Sequence, residues 1–284
     1  MIKIENLTYK YKENIALNNL NLELNQGMIG LLGENGAGKT TLMHLLSTLK
    51  VVKEGRISIN DIEITNTNYN KIRKMVGFMP QEFGFYSNFT VYEMLEYICL
   101  LENVKKNEID AKIKKLLDEL NIKIKMRKKT KELSGGMKRR LGLACAMINE
   151  PEILIVDEPT VGLDPEERIK MRNLLKKYSV GKTVLLSTHI VEDINSICDE
   201  VIVISRGDLL FAGKVKDLIN NSQDTYEVIC PINKVDEYSK KGTITDVKYD
   251  SDSCVIKIAA ECPDFKYIKK VDKMSSCRIF SFFL

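Results

Sequence analysis

The sequence predicts an α/β fold with a mostly parallel core sheet, an antiparallel β subdomain, an inserted α-helical subdomain and a small C-terminal α+β appendage. Three observations lead to this prediction. Apolar runs of strand length, residues 28–32 and 153–156, are each followed by a helical pattern, as buried parallel strands are. Alternating apolar and polar residues at 2–4 and 20–24 predict antiparallel strands. Helical periodicity dominates residues 88–149, and alternating segments return after residue 222.

The overall composition narrows the class of protein. The chain has 284 residues, enough for one large domain with a small appendage. Its 43 basic and 39 acidic residues give a net charge of only +4, which does not by itself indicate a nucleic-acid partner. Seven cysteines without a C-x-x-C pair argue against a disulfide framework or a zinc ribbon and favour a reducing cytosol.

The apolar runs of the sequence are too short for membrane spans. Runs such as 153–156 and 201–204 fall far below the roughly 18 residues that a span needs, and the N-terminus lacks a signal-peptide pattern. We therefore expect a soluble chain with no direct membrane span, so that any role at a membrane requires another polypeptide.

The stretch after the first buried strand matches the phosphate-loop pattern G-x-x-x-x-G-K-[ST]. Its residues are Gly33, Glu34, Asn35, Gly36, Ala37, Gly38, Lys39, Thr40 and Thr41. The glycines let backbone N–H groups turn inward around an anion, and the helix predicted by the leucine spacing of residues 42–49 adds the positive end of its dipole. Lys39 supplies a charge for the β- and γ-phosphates, and the Thr40 hydroxyl is placed to ligate Mg²⁺. A chance match would not have this flanking strand and helix.

Two further residues become candidates through their positions beside predicted strands. Tyr11 lies between the two N-terminal strands, where its ring could stack on a nucleotide base; the alternative is an ordinary strand tyrosine. Gln81 follows an apolar segment that Pro80 ends, and its amide could reach a metal ion or an attacking water. The alternative for Gln81 is a solvated loop amide.

The helical region begins with a capping box made of Thr90 and Glu93. The helix after the box has one apolar face, formed by Val91, Met94, Leu95, Ile98 and Leu101. A second helix has a similar face, formed by Ile109, Ile113, Leu116, Leu117 and Leu120. The basic segment 123–131 could contact phosphates or an anionic leaflet, but a solvated loop is the simpler interpretation.

Ser134, Gly135 and Gly136 predict a second anion-binding helix start. A hydroxyl, two glycines that allow close backbone approach and the positive end of a helix dipole all favour a bound anion. The alternative is an ordinary helix cap. A second phosphate site in one chain needs an explanation, because a single bound nucleotide would already occupy the phosphate loop.

Two carboxylates end the apolar run 153–156. Asp157 can hold Mg²⁺ through water, and Glu158 is placed to orient or deprotonate a water that attacks a γ-phosphate. The alternative is a strand followed by an acidic turn. Asp164 then caps a helix that has Pro165 at its first position.

His189 ends another apolar strand and is one of only two histidines. Its imidazole could hydrogen-bond a γ-phosphate, or it could be a strand-end histidine with no role. We interpret His44, within the helix after the phosphate loop, as structural. Residues 233–236 match the guanine-reading pattern N-K-x-D, but the chain has no D-x-x-G segment, and we treat the match as chance.

Taken together and in this order, the motifs resemble the ATP-binding cassette of ABC transporters over residues 1 to about 220. The resemblance implies a P-loop ATPase core that binds ATP and Mg²⁺, with Thr40, Gln81 and Asp157 at the metal. The remaining roles that it implies are base stacking for Tyr11, Walker A for 33–41, the Q-loop for Gln81, the signature for 133–137, Walker B for Asp157, the catalytic base for Glu158, the D-loop for 162–164 and the switch for His189.

The same resemblance explains the second anion site, because the signature of one cassette caps the γ-phosphate held by Walker A of another. It implies a homodimer or heterodimer of cassettes and a separate transmembrane permease subunit, with this chain cytoplasmic and peripheral on the inner face of the cell membrane. Met137 departs from the family's usual glutamine. The Met137 variant of the signature, the single cassette and the short C-terminal extension together resemble the ATP-binding subunits of drug, antibiotic or ion exporters.

The resemblance also sets the expected domains and partners. Residues 1–221 form the nucleotide-binding domain, with the helical subdomain at about 88–149, and 222–284 form an accessory segment. Four aromatic residues after Gln81 could receive a helix of the membrane subunit or belong to the interior; they are Phe83, Phe85, Tyr86 and Phe89.

The alternative function is that of a soluble ABC ATPase acting on ribosomes or DNA. Ribosome-associated members usually carry two cassettes, whereas this chain has one set of motifs. DNA-repair members insert a long coiled coil between Walker A and Walker B, for which residues 41–153 leave no room. Transport without a nucleic-acid partner is therefore favoured.

Overall fold

The computed structural model of the chain describes residues 1–122, 126–221, 224–250, 253–260, 263 and 265–271. Contacts divide the chain into two compact units, one made of residues 1–189 and 196–212, the other of 190–195 and the chain from 213 onward. The expected domain border after residue 221 falls within the second unit. Within the described ranges, none of the helices combines the length and apolar character that crossing a membrane requires.

The elements up to residue 214 alternate between strands and helices. The strands are β1 (Ile2–Tyr11), β2 (Asn14–Leu24), β3 (Gly27–Leu32), β4 (Glu54–Ile59), β5 (Ile62–Glu63), β6 (Val76–Met79), β7 (Ile153–Asp157), β8 (Thr183–Thr188), β9 (Glu200–Ser205) and β10 (Asp208–Lys214). The helices are α1 (Lys39–Leu46), α2 (Tyr69–Met75), α3 (Val91–Leu101), α4 (Lys106–Glu119), α5 (Gly135–Met147), α6 (Pro165–Tyr178) and α7 (Val191–Ile197).

A six-stranded sheet forms the centre of the first unit, with the strand order β10-β9-β3-β8-β7-β6. The five strands from β9 to β6 pair in parallel. Strands β7 and β8 are buried along their whole length, as expected for a sheet covered on both faces. The register places Leu32 beside Thr188 and Asp157 beside Ser187, so the segments that follow β3, β7 and β8 leave the same edge of the sheet.

The predicted antiparallel subdomain is a four-stranded sheet in the order β2-β1-β4-β5. Ile2 pairs with Leu24 on one side and with Ile59 on the other, and all three side chains are buried. Both N-terminal strands are longer than their alternating segments indicated. Tyr11 is therefore the last residue of β1, and the prediction that it lies between the strands is wrong.

The helical region confirms the capping box, because Thr90 Oγ1 accepts the Glu93 N–H and the Glu93 carboxylate accepts the Thr90 N–H. The apolar faces of α3, α4 and α5 pack into one core with β7 and β8. Two leucines differ from the prediction. Leu101 is 59% exposed because it ends α3, and Leu49 is 61% exposed because α1 ends at Leu46.

The second unit contains α8 (Val215–Asn221), β11 (Asp224–Pro231), α9 (Val235–Ser239), β12 (Thr243–Tyr249), β13 (Ser253–Ala260) and β14 (Lys269–Lys270). Within the described part of this unit, four strands form an antiparallel sheet in the order β12-β13-β11-β14, as the alternating segments after residue 222 indicated. The core lies on one face of the sheet, where Val228 and Ile256 pack with Tyr238 of α9. Residues 233–236 of the N-K-x-D match lie where a short 3₁₀ helix meets α9.

Candidate functional site

The phosphate-binding loop connects β3 to α1 and can follow its path only with glycine at particular positions. Gly36 and Gly38 have φ angles of 84° and 111°, in the left-handed region that glycine favours. A Cβ atom at Gly38 would lie 2.4 Å from the Ala16 carbonyl oxygen, and one at Gly33 would lie 2.4 Å from that of Ile204. The loop is therefore wrapped tightly on its neighbours, with its N–H groups preceding the start of α1.

Lys39 is buried within this loop. Its ammonium donates hydrogen bonds to the carbonyl oxygens of Gly33 at 2.6 Å and Glu34 at 3.0 Å. Burial lowers the pKa of Lys39, while the nearby carboxylates of Glu158 and Asp157 act in the opposite direction. The positive charge is thus held inside the curve of the loop, where the β- and γ-phosphates of a nucleotide would lie.

A turn late in the chain supports the loop from behind. The Gly207 N–H donates to the Ala37 carbonyl at 3.0 Å, and the Gly207 carbonyl accepts the Asn18 N–H at 2.9 Å. The Asn18 side chain also donates to Asp208 at 2.8 Å. The phosphate-binding loop is consequently joined to both β2 and the β9–β10 turn.

Asp157 is the last residue of β7, Glu158 follows it, and both side chains are buried. Burial raises the pKa of Asp157, against the opposing effects of the Ser187 hydroxyl and the Lys39 ammonium. Glu158 has a φ angle of 49°, uncommon for a residue with a side chain, and its N–H donates to the Ser187 carbonyl at 3.0 Å. This sharp turn separates the two carboxylates at the end of the strand.

The two oxygens of the Glu158 carboxylate differ in their hydrogen bonding. Oε1 lies 2.8 Å from Nδ1 of the half-exposed His189. Oε2 is buried, and none of the described residues forms a hydrogen bond with it. A buried carboxylate oxygen without a partner is costly, and a water or phosphate-bound group in the cleft would relieve that cost.

These groups open into one cleft of about 430 Å³. The predicted residues that line it are Tyr11, Glu34, Asn35, Gly36, Gly38, Lys39, Thr40, Thr41, Gln81, Asp157, Glu158 and His189. Gly33 and Ala37 are buried within the loop. Asn14, Ile15 and Ala16 at the start of β2 also line the cleft, although they belong to no motif that would mark them in the sequence.

Tyr11 lies at one wall of the cleft, with its hydroxyl oxygen 3.3 Å from Thr41 Oγ1. The Lys50 ammonium lies 4.8 Å from the centre of the Tyr11 ring, and Tyr9 meets the ring edge-on at 5.1 Å. Three neighbours therefore hold the orientation of this half-exposed ring.

The second predicted anion site is a separate feature. Ser134 caps α5, where its hydroxyl accepts the Met137 N–H at 3.4 Å, and both Ser134 and Gly135 are exposed. Asp164 caps α6 in the same way, accepting the Glu167 N–H at 2.8 Å. Among the described residues, the lining of the cleft includes neither these caps nor Gly136.

The donors in the cleft suit Mg²⁺ together with a polyphosphate. The Thr40 hydroxyl, the Gln81 amide and the Asp157 carboxylate supply the oxygen ligands that Mg²⁺ prefers, and they line the same cleft as Lys39. When bound, Mg²⁺ neutralises charge on the phosphate oxygens. The parallel sheet, the loop at the end of β3 and the two carboxylates define a P-loop ATPase.

Comparison with known proteins identifies the family within this class. The ABC transporter family model matches residues 17–161. The chain is 32% identical over 78% of its length to the uncharacterized ABC transporter ATP-binding protein YxlF of Bacillus subtilis, of which it covers 74%. It is 34% identical over 79% of its length to the methionine import ATP-binding protein MetN 2 of Bacillus anthracis, of which it covers 69%.

A solved structure with the same fold is the ATP-binding cassette MJ0796, described as a dimer in a post-hydrolysis state bound to ADP and Pi. It has a TM-score of 0.69 and 28% sequence identity, over 76% of this chain and 99% of that one. The chain belongs to the ATP-binding subunits of ABC transporters. It is an ATPase that binds ATP and Mg²⁺, as the resemblance of the motifs predicted.

Proposed function

We propose that this chain is the motor subunit of a transporter in which ATP is held between two cassettes, identical or different, and drives translocation by a separate membrane permease. The observation that carries the proposal is the separation of two anion sites. Lys39 and the carboxylates share one cleft, whereas the helix start at Ser134 is exposed and outside its lining. The Ser134 site is therefore free to act on the nucleotide of a second cassette, and the dimeric state named for MJ0796 supports this arrangement.

The predicted site residues divide the work of binding and hydrolysis in this proposal. Tyr11 stacks on the base, the loop from residue 33 to 41 binds the phosphates, and Thr40, Gln81 and Asp157 hold the metal. Glu158 Oε2 accepts a proton from a water whose oxygen attacks the γ-phosphorus, while the bond to the β–γ bridging oxygen breaks to release ADP and phosphate. His189 holds Oε1. Ser134, Gly135, Gly136 and Asp164 act on the partner's nucleotide.

A groove beside the Q-loop is the proposed contact for the permease. A cavity of about 330 Å³ is lined by Phe83, Phe85, Met94 and Ile98. Tyr86 and Phe89 pack instead against Tyr97, so only two of the four aromatic residues line this groove. An apolar groove of this kind suits one face of an amphipathic helix.

We propose that transport is outward and that the chain acts on the cytoplasmic face of the membrane. The Met137 variant of the signature supports export, whereas the name of the methionine import relative favours the opposite direction. Among the described residues, Cys99, Cys145, Cys230 and Cys254 are free thiols, which supports a reducing compartment. Residues 1–221 act as the nucleotide-binding domain and 222–284 as an accessory segment.

Purification of the tagged chain from membranes tests the proposal. We expect a membrane polypeptide to co-purify and the complex to hydrolyse ATP, with Lys39→Ala removing most of the hydrolysis. Recovery of ribosomes or DNA instead, or full activity in Lys39→Ala, would contradict it. ATP-dependent uptake of the exported compound into inside-out vesicles, but not into right-side-out vesicles, tests the direction.

A further inference from the structure

Arg139, in the second turn of α5, contacts two loops that border the nucleotide cleft. Its Nη1 donates to the Gln81 carbonyl at 3.2 Å, and its Nη2 donates to the Val161 carbonyl at 3.0 Å. The guanidinium also lies 5.8 Å from the centre of the Phe83 ring. One planar group thus connects the helix that begins after Ser134 with the segment at Gln81 and the loop at 161–164.

The packing around Phe83 reinforces this connection. Phe83 stacks on Phe85 with ring centres 5.0 Å apart and an interplanar angle of 4°. The opposing surface of α5 carries Gly142, where a Cβ atom would lie only 2.1 Å from Cε1 of Phe83. The segment after Gln81 therefore fits closely against α5, and the Arg139 contact is one part of a shaped interface.

The neighbouring Arg140 has a different environment. It is buried, donates to the Leu120 carbonyl at 2.9 Å and pairs with Glu167 at 2.7 Å, so it joins α5 to α4 and α6. Arg139 instead donates its two hydrogen bonds to loops that carry cleft residues, the segment at Gln81 and the loop that follows Glu158. Val161 is itself joined to the end of β7, because its N–H donates to the Glu158 carbonyl at 3.4 Å.

We propose that Arg139 is a positioning residue that couples the two nucleotide sites of the dimer. It holds the Gln81 segment of its own cleft to the helix whose start, at Ser134, meets the nucleotide of the partner. A movement of the Gln81 segment in one nucleotide site is then transmitted through α5 to the contact between Ser134 and the nucleotide of the other site. This inference rests on the two-cassette arrangement proposed above.

The shape of the side chain explains why an arginine stands at this position. The guanidinium presents donors in a rigid fork, so it reaches two carbonyl groups on separate loops at once. A lysine has the same charge on a single nitrogen at the end of a flexible chain. Arg139→Lys should therefore retain only part of the coupling, and Arg139→Gln should lose it.

The experiment compares Arg139→Gln and Arg139→Lys with a matched control, Arg172→Gln. Arg172 donates to Ser196 at 3.2 Å and is not among the residues lining the cleft. In the assembled transporter we expect Arg139→Gln to lower kcat about 10-fold, equivalent to about 1.4 kcal/mol of activation free energy, and to bring the Hill coefficient for ATP towards one. Arg139→Lys should be intermediate, and the control should match wild type.

Two further measurements separate positioning from folding. Nucleotide affinity, measured with Glu158→Gln also present, and the melting temperature should be unchanged by Arg139→Gln. Amide hydrogen exchange without nucleotide should become faster at 81–86 and 161–164. The inference would be overturned if Arg139→Gln kept the wild-type kcat and cooperativity. It would also be overturned if Arg139→Gln lowered both the nucleotide affinity and the melting temperature, because the residue would then have a general structural role. Absence of ATPase activity in the wild-type complex would contradict the proposed function instead.

Discussion

The Glu158 carboxylate meets the His189 imidazole at 2.8 Å, from Oε1 to Nδ1, and its second oxygen is buried without a protein partner among the described residues. The histidine therefore fixes the carboxylate without occupying both of its oxygens. In the proposed mechanism Oε2 accepts the proton of the attacking water, so the contact of Oε1 with His189 orients the carboxylate for that step. This geometry separates the expected effects of changing the two residues.

Glu158→Gln should abolish general-base catalysis while preserving the shape of the cleft. We expect hydrolysis to fall by about 10² to 10⁴-fold, so that bound ATP persists and holds two cassettes together. Size-exclusion chromatography should find monomer without nucleotide and dimer with Mg-ATP. Adding Ser134→Arg, which fills the second anion site, should restore the monomer in ATP. The two-site arrangement would be contradicted if the Glu158→Gln cassettes failed to pair at saturating Mg-ATP, both as the isolated chain and in the purified transporter.

His189→Ala should slow hydrolysis less than the loss of Glu158 does, by about 10 to 10²-fold, because the base remains but its orientation is released. ATP affinity should stay close to that of wild type. His189→Gln should recover part of the rate, since an amide can donate a hydrogen bond to Oε1. Steady-state kinetics and equilibrium binding provide the two readouts, and a large loss of affinity in His189→Ala would argue for a role in binding instead.

Tyr11 provides a test that separates its ring from its hydroxyl. Tyr11→Ala should raise the Kd for ATP about 5- to 10-fold, because an aromatic contact contributes about 1 kcal/mol. Tyr11→Phe keeps the ring and loses the contact with Thr41, so its Kd should remain within about twofold of wild type. If both variants bind ATP equally weakly, the hydroxyl contact, not base stacking, explains the effect.

Asp157→Asn should stabilise the nucleotide-free protein at neutral pH while removing hydrolysis. Burial raises the pKa of Asp157 in the folded state. Between the pKa of the unfolded chain and this raised value, the folded protein binds a proton that the unfolded chain has lost. The stability of the wild-type protein therefore falls as the pH rises through this range. Asp157→Asn has no ionisable group at this position, so it does not lose stability in this pH range. Its melting temperature should exceed that of wild type at pH 7, and the difference should shrink as the pH falls towards about 4. Asp61→Asn is the control, because it makes the same substitution at an aspartate in an exposed turn.

Phe85→Asp should prevent association with the permease and leave the soluble ATPase activity intact. Phe85 lines the apolar groove, and a charge there cannot be buried against an apolar helix face without cost. Val180→Asp is the control, because Val180 is 82% exposed and lies outside this groove. Membrane fractionation and thermal melting provide the readouts. A lower melting temperature in Phe85→Asp would indicate an interior role for the ring.

The order of motifs along the chain predicted both the parallel core and most of the cleft. Lys39 and His189 come after short apolar strands and Asp157 ends one, and parallel strands bring such positions to one edge. Strand β10 was not predicted, because at the sheet edge its residues alternate only between intermediate burial and exposure. The leucine spacing predicted a helix through Leu49, but α1 ends at Leu46; Leu101 does lie in α3, but as its last residue it is exposed.

Arg139 illustrates what a local pattern does not contain. Within the run Lys138-Arg139-Arg140, three adjacent cations resemble a solvated helix face. Their separate environments arise because α5 packs between distant segments, so that Arg140 reaches Leu120 while Arg139 reaches Gln81 and Val161. Spacing along the helix predicts its buried face but not the partners that other parts of the chain bring to it.

The strand order also has a consequence for synthesis on the ribosome. Strand β3, which carries the phosphate-binding loop, ends at residue 32, yet its two neighbours are Thr183–Thr188 and Glu200–Ser205. The Gly207 support for Ala37 emerges later still. Translation of the intervening chain takes on the order of 10 s or more, during which the strand has no partner on either side. ATP can therefore stabilise the nascent cassette only after this late segment has left the exit tunnel, and chaperones have a long interval in which to bind the exposed strand.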